Sequence, residues 1–299
     1  MKTTLKITLV FFLLFQLSSN TTAQDGKRRH WDNHAWHMGD SARMQDFSCA
    51  MENFNIQDFP FCKDKTKFNG HWAGVEIGIN GYVTPDFDMN FNPGYLYMNM
   101  NTARSLMVNL NPFELNVNLL NNKIGFTTGL GFQISNYYFT ENYVMLKDSA
   151  HLTAYQVQDN QGNFVDMEVN KMVVCYVNLP LFLEFQTNPY RRLSSFHVSL
   201  GVIGGVRIGS HTRQVYENKG ETYFLVDDKG DKIATFDVER HSVRDRGAYH
   251  LNPFKLDASF RVGWSHLNIF GAYGLTQMFQ KDQGPELYPF TVGITLLGW

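Results

Sequence analysis

Three histidines in the stretch HWDNHAWH, His30, His34 and His37, are spaced by four and three, which on a helix would set their imidazoles on one face. Neutral imidazole ligates zinc, copper or nickel, so the trio is a candidate metal site. The competing reading is an aromatic leader, with Trp31 and Trp36 between the histidines, that binds nothing. A second constellation is Ser210 beside His211, with Glu141 as the acid that would complete a hydrolase. Adjacent Ser-His pairs arise readily by chance, and nothing in chain order brings Glu141 to this one. The GVIGG run at 201–205 lacks the Lys-Ser/Thr and the helix of a phosphate loop, and its glycines more simply make room for bulky inward neighbours. Cys49 and Cys62 could pair in an oxidising compartment, leaving Cys175 alone, although spacing does not supply the Cα distance a bridge requires. The expectation is no catalytic residue, no cofactor and no metal.

The elements that would position these residues set tighter bounds. Residues 1–23 read as an export signal: Lys2 and Lys6, an apolar run too short to span a bilayer, then small residues before Ala23. No later apolar run approaches the roughly 18 to 20 residues of a membrane-spanning helix. With 26 basic and 28 acidic side chains the chain carries no field that calls for nucleic acid. Aromatic residues are abundant at 15%. Residues 24–70 are polar and aperiodic and read as an irregular periplasmic extension.

From residue 71 to 299 the pattern changes to apolar and polar residues in alternation, the signature of strands with two different faces. Eight such segments are predicted, over about 72–83, 105–119, 124–139, 171–186, 196–210, 252–264, 267–279 and 286–299. Connections after the second, fourth and sixth are short, whereas those after the first, third and fifth are long. The fold expected is all-β: an eight-stranded antiparallel up-and-down transmembrane β-barrel with one elaborated and one trimmed end. The basic stretch ERHSVRDRG at 239–247 falls in the third long connection and reads as a solvated hairpin tip.

Alternation does not by itself say which face is outside. A soluble lipocalin-like barrel turns its apolar residues inward, whereas a membrane barrel turns them to lipid. Strand lengths at or above the roughly 9 to 11 residues needed to cross a bilayer favour the membrane. So do aromatic residues at strand ends, including Tyr82, Tyr137, Tyr138, Trp264 and Tyr288. Glu76, Glu114, Glu184, Arg207, Lys255, Asp257 and Arg261 share the polar face, four acids and three bases that could neutralise one another inside a narrow tube. A mean hydropathy of −0.28 is compatible with this, since only alternate strand residues would meet lipid.

The stretches GHWAGVEIGINGYVTPD, LNPFELNVNLLNNKIGFTTGLGFQISNYYF, LPLFLEFQT, GVIGGVRIGSHT and GPELYPFTVGITL resemble the outer-membrane β-barrel proteins of Bacteroidetes, the PorT-like group of small barrels, over about residues 68–299. The resemblance implies a location in the bacterial outer membrane, contact with its lipid, and delivery by the barrel assembly machinery. It also implies that Trp299 is part of an insertion signal. Trp299 shares parity with Thr291, Gly293 and Thr295 rather than with the apolar residues, so a bulge near Leu297 is required for it to face lipid. The expected role is a non-enzymatic, surface-displayed scaffold or envelope component acting through its long loops on an unidentified partner. A rim-active hydrolase and a narrow channel are the alternatives.

Overall fold

The computed structural model describes residues 68–298 apart from positions 90, 92, 148, 189–194, 217–220, 228, 239–241 and 265–266. The proposed signal and all but the end of the extension therefore lie outside the described residues. So do His30, His34, His37, Cys49, Cys62 and Trp299.

The chain is all-β, with antiparallel sheets and two short 3-10 segments, Pro93–Met98 and Thr102–Arg104. In order the strands are β1 (Gly74–Val83), β2 (Leu106–Leu120), β3 (Ile124–Tyr138), β4 (Tyr143–Leu146), β5 (Thr153–Gln158), β6 (Met167–Gln186) and β7 (Phe196–Tyr216). They continue as β8 (Glu221–Val226), β9 (Lys232–Val238), β10 (Ser242–Arg246), β11 (Phe254–Trp264), β12 (Leu267–Gly274) and β13 (Tyr288–Gly298). Eight of them, β1, β2, β3, β6, β7, β11, β12 and β13, pair in chain order, and β13 returns to β1, so the sheet closes on itself. Each of the eight segments predicted from alternation overlaps one of these strands, although β2, β6 and β7 run beyond the predicted bounds.

Side chains divide by face as the alternation requires. Along β6, Asn178, Phe182, Glu184 and Gln186 are buried within the ring while Leu179, Leu181, Leu183 and Phe185 are exposed outside it. Neighbouring strands continue that outer surface, with Leu183 opposite both Phe126 of β3 and Leu200 of β7. The lipocalin-like arrangement, with apolar side chains inside, is thus not the one adopted.

The trimmed end has short local solutions. Asn121 and Asn122 both adopt positive φ (47° and 57°), and Lys123 N–H donates to Leu120 C=O at 2.8 Å, a tight turn whose central pair is of the mirror-image kind that matches strand twist. At the same end the β1–β13 register shifts between Val75 and Glu76, whose partners are Leu297 and Thr295. The extra residue is Leu296, and both it and Leu297 are exposed. This is the bulge that parity demanded, although Trp299 itself is beyond the described residues.

The elaborated end departs from the sequence reading. The long connections are not simple loops: β4, β5, β8 and β9 form a second, four-stranded sheet around Val157, Tyr216, Tyr223, Leu225 and Val238. The stretch read as a hairpin tip instead contains β10, which docks on β7 with Arg244 opposite Arg213. β7 supports this because it runs to Tyr216, past the end of the alternating segment at residue 210, and so offers an unpaired edge. A buried apolar cluster that includes Tyr82, Met98, Tyr137, Met172, Tyr249 and Phe279 packs at this end of the ring.

Candidate functional site

The interior of the ring is the place where polar chemistry is concentrated, and a segment before β1 organises it. Phe68, His71 and Trp72 are buried, although residues 68–70 belong to the stretch read as extension and residue 72 to the first strand. Trp72 touches Phe182 of β6, lies under the Arg261 guanidinium of β11 at 4.6 Å, and packs near Gly129 and Gly131 of β3. Only a position inside the ring reaches all three strands. Gly74 permits the turn from interior to wall: its φ is +150°, and a Cβ there would sit 2.1 Å from the Leu297 carbonyl oxygen.

The charges chosen from sequence are brought together, but only partly with one another. Arg261 Nη1 lies 2.6 Å from Glu76 Oε1, both side chains essentially inaccessible, and Lys255 Nζ lies 2.5 Å from Asp257 Oδ2. Glu114 instead accepts the backbone N–H groups of Trp72 and Ala73, at 2.6 and 2.7 Å, and the Asn116 amide. Glu184 lies 2.5 Å from His71 Nδ1 and accepts His71 N–H and the Ser199 hydroxyl. Arg207 donates to Ser210 Oγ and to the Ala248 carbonyl. Anions in the ring are therefore satisfied as much by backbone and amide donors as by cations, which is how buried carboxylates avoid an uncompensated desolvation cost.

His71 is the member that sequence reasoning missed. Its ring stacks on His197 of β7 with centroids 3.6 Å apart and planes 6° apart, and His197 Nε2 meets the Asn268 side chain of β12. Its backbone carbonyl accepts from Arg261 at 3.4 Å. One residue thus links β6, β7 and β11. Nothing periodic marked it, because it precedes the first strand. The available signal was composition: a His-Trp pair directly before an alternating segment.

The glycine reading of 201–205 holds at Gly205, where a Cβ would fall 2.7 Å from Lys255 and Asn178 side-chain atoms. At Gly201 the close neighbour is different, the Leu181 carbonyl oxygen at 2.0 Å, so that glycine serves strand approach rather than a bulky side chain.

The hydrolase constellation is not assembled. Ser210 and His211 are consecutive on a strand and so project to opposite faces. Ser210 Oγ donates to the Gly247 carbonyl at 2.6 Å, whereas His211 lies across from Val173 on one side and Arg246 on the other. Partial burial first, then Arg244, Lys171, Arg246 and Arg213, push the His211 imidazole below its ordinary pKa. The exposed Glu141 offers its backbone carbonyl to Asn170. Among the described residues no group of three or more His, Cys, Asp or Glu converges on a point where a metal ion would fit, and Cys175 carries a free thiol. Among them, too, no helix is long and apolar enough to cross a membrane, a statement that does not bear on strands.

What this arrangement can do chemically is hold the segment at 68–73, through His71 and Trp72, inside an apolar-coated ring. Comparison with known protein families, with curated proteins and with solved structures finds no match to this chain.

Proposed function

We propose that this chain is an outer-membrane β-barrel, sealed rather than conducting, that displays a folded layer outside the bilayer for contact with a partner. The observation that carries the reading is the outward apolar belt. On β6 it comprises Val177, Leu179, Leu181, Leu183 and Phe185, a nine-residue span that matches the roughly 9 to 11 residues of a tilted crossing strand. Leu200 is 62% exposed and Leu179 59%, and such residues recur around every strand of the ring. A soluble monomer rarely leaves a contiguous apolar surface of that extent in water.

Interior packing supports a sealed tube. Trp72, Phe182, Ile203 and the Glu76–Arg261 pair fill the cross-section, as expected where eight strands leave an interior just wide enough for side chains. The trimmed end, which carries Gly298 and the segment at 68–73, is assigned to the periplasm, and the second sheet to the exterior. With Ser210 engaged by Gly247 and turned away from His211, the reading is non-enzymatic.

Envelope fractionation combined with gel mobility of heated and unheated samples tests the proposal. A protein that sediments with outer membrane and migrates faster before boiling is expected; a soluble or peripheral protein of unchanged mobility overturns it. Planar-bilayer recordings of the purified protein are expected to show no discrete conductance steps.

A further inference from the structure

Just beyond the apolar belt, on the outer surface at the elaborated end, the register sets cations side by side. Lys171 of β6 is opposite Arg213 of β7, and Arg213 is opposite Arg244 of β10. One rung nearer the belt, His211 is opposite Arg246. Tyr138 of β3, paired with Lys171, carries that ammonium 5.0 Å from its ring centroid and the Arg104 guanidinium 4.9 Å from it. These residues share the outward face: Met172, Thr212 and Gln214 between them are buried, and Asp245, on the other face of β10, is paired with Lys147.

Like charges directly opposite on neighbouring strands are destabilising. Here two such pairs share one arginine, and among the described residues none of these cations has a carboxylate within ion-pair distance. Glu168 lines the groove beside Arg104 and Tyr138 without pairing. Arg213 has a neutral partner, its Nε donating to Ser242 Oγ at 3.0 Å. The protein thus concentrates positive charge where folding alone disfavours it, at the height where a lipid would place its headgroup.

We infer that this patch binds the phosphorylated headgroup of an anionic lipid whose acyl chains lie against the neighbouring belt. The inference rests on the membrane reading. Arg forks match phosphate oxygens bidentately, Lys171 adds a point charge, and the Tyr138 ring between Arg104 and Lys171 holds both side chains in place. The acyl chains would follow the outward rows that lead away from the patch, Ile134 and Phe132 on β3 and Ile208 and Val206 on β7.

The test uses the full-length protein in phosphatidylcholine vesicles with and without a bis-phosphorylated glycolipid, lipid retention being measured by native mass spectrometry after extraction. Wild-type protein is expected to retain the anionic lipid, and Arg213→Gln with Arg244→Gln to retain it about tenfold less for each guanidinium removed. Lys123→Gln, in the hairpin at the opposite end, is expected to leave retention unchanged. Because the arginines repel one another, Arg213→Gln is also expected to unfold at the same or a higher temperature in neutral detergent, which separates damage to the site from damage to the fold. Equal retention by variant and wild type, equal retention of phosphatidylcholine, or displacement by an equimolar amount of inorganic phosphate would overturn the inference alone. Failure to enter vesicles at all would overturn the membrane reading with it.

Discussion

Glu76 and Arg261 set out the constraint on a charge inside a narrow ring: with 0% and 3% of their side chains accessible, each depends on the other for compensation. Glu76→Ala or Arg261→Ala is therefore expected to cost about 3–5 kcal/mol, the penalty of stranding a buried ion. Glu76→Leu combined with Arg261→Met is expected to cost less than either single change. Urea midpoints read from the heat-dependent gel shift would check both. His211 gives a pH dependence whose sign follows from its lowered pKa. The unfolded chain takes up the proton near pH 6.5 while the folded chain still resists it, so stability falls as pH drops below that value. Unfolding of wild type and His211→Asn between pH 7 and pH 5 is expected to show the loss in wild type and a smaller one in the variant. The seven charges of the polar face were legible in the sequence because alternation alone assigns a face. Their partners were not, since pairing depends on register around the closed ring and on His71, which lies outside any alternating segment.

The β6–β7 hairpin is the element that joins the two sheets. Its strands run 20 and 21 residues, about twice a bilayer crossing, so the upper halves are free to carry other structure. Tyr216 at the end of β7 stacks on Tyr223 of β8 with centroids 5.3 Å apart, and burial raises the Tyr216 phenol above its ordinary pKa. Tyr223→Ala is expected to destabilise the second sheet by about 3–5 kcal/mol while leaving the ring intact. Limited proteolysis should then cut within β8 or β9 at protease levels the wild type withstands, with gel mobility unchanged. These strands escaped the sequence reading for a physical reason. Strands of four to seven residues offer too few alternations to stand out, and β10, with the sequence SVRDR, has one apolar residue. It is a strand because the extension of β7 presents an edge, which is a tertiary cause.

For the whole molecule the decisive quantity is the outward apolar area, which the proposed function turns to lipid, and a cation within it is the sharpest probe of that proposal. Leu181→Arg, near the middle of the β6 belt, is expected to cost about 2–4 kcal/mol, whereas Gln161→Arg, in the exposed turn after β5, is expected to cost almost nothing. The folded fraction recovered in vesicles, scored by gel mobility, checks the pair. Closure has a further consequence through Gly74. The first and last strands meet there, Gly74 against Gly298, two residues from the indole that occupies the interior. The ladder that shuts the circle thus lies two residues from Trp72, and the segment at 68–73 is expected to act as a template around which the wall is drawn together. Removing that indole should delay the moment of shutting, with Trp72→Ala accumulating as an open, protease-sensitive sheet before it matures.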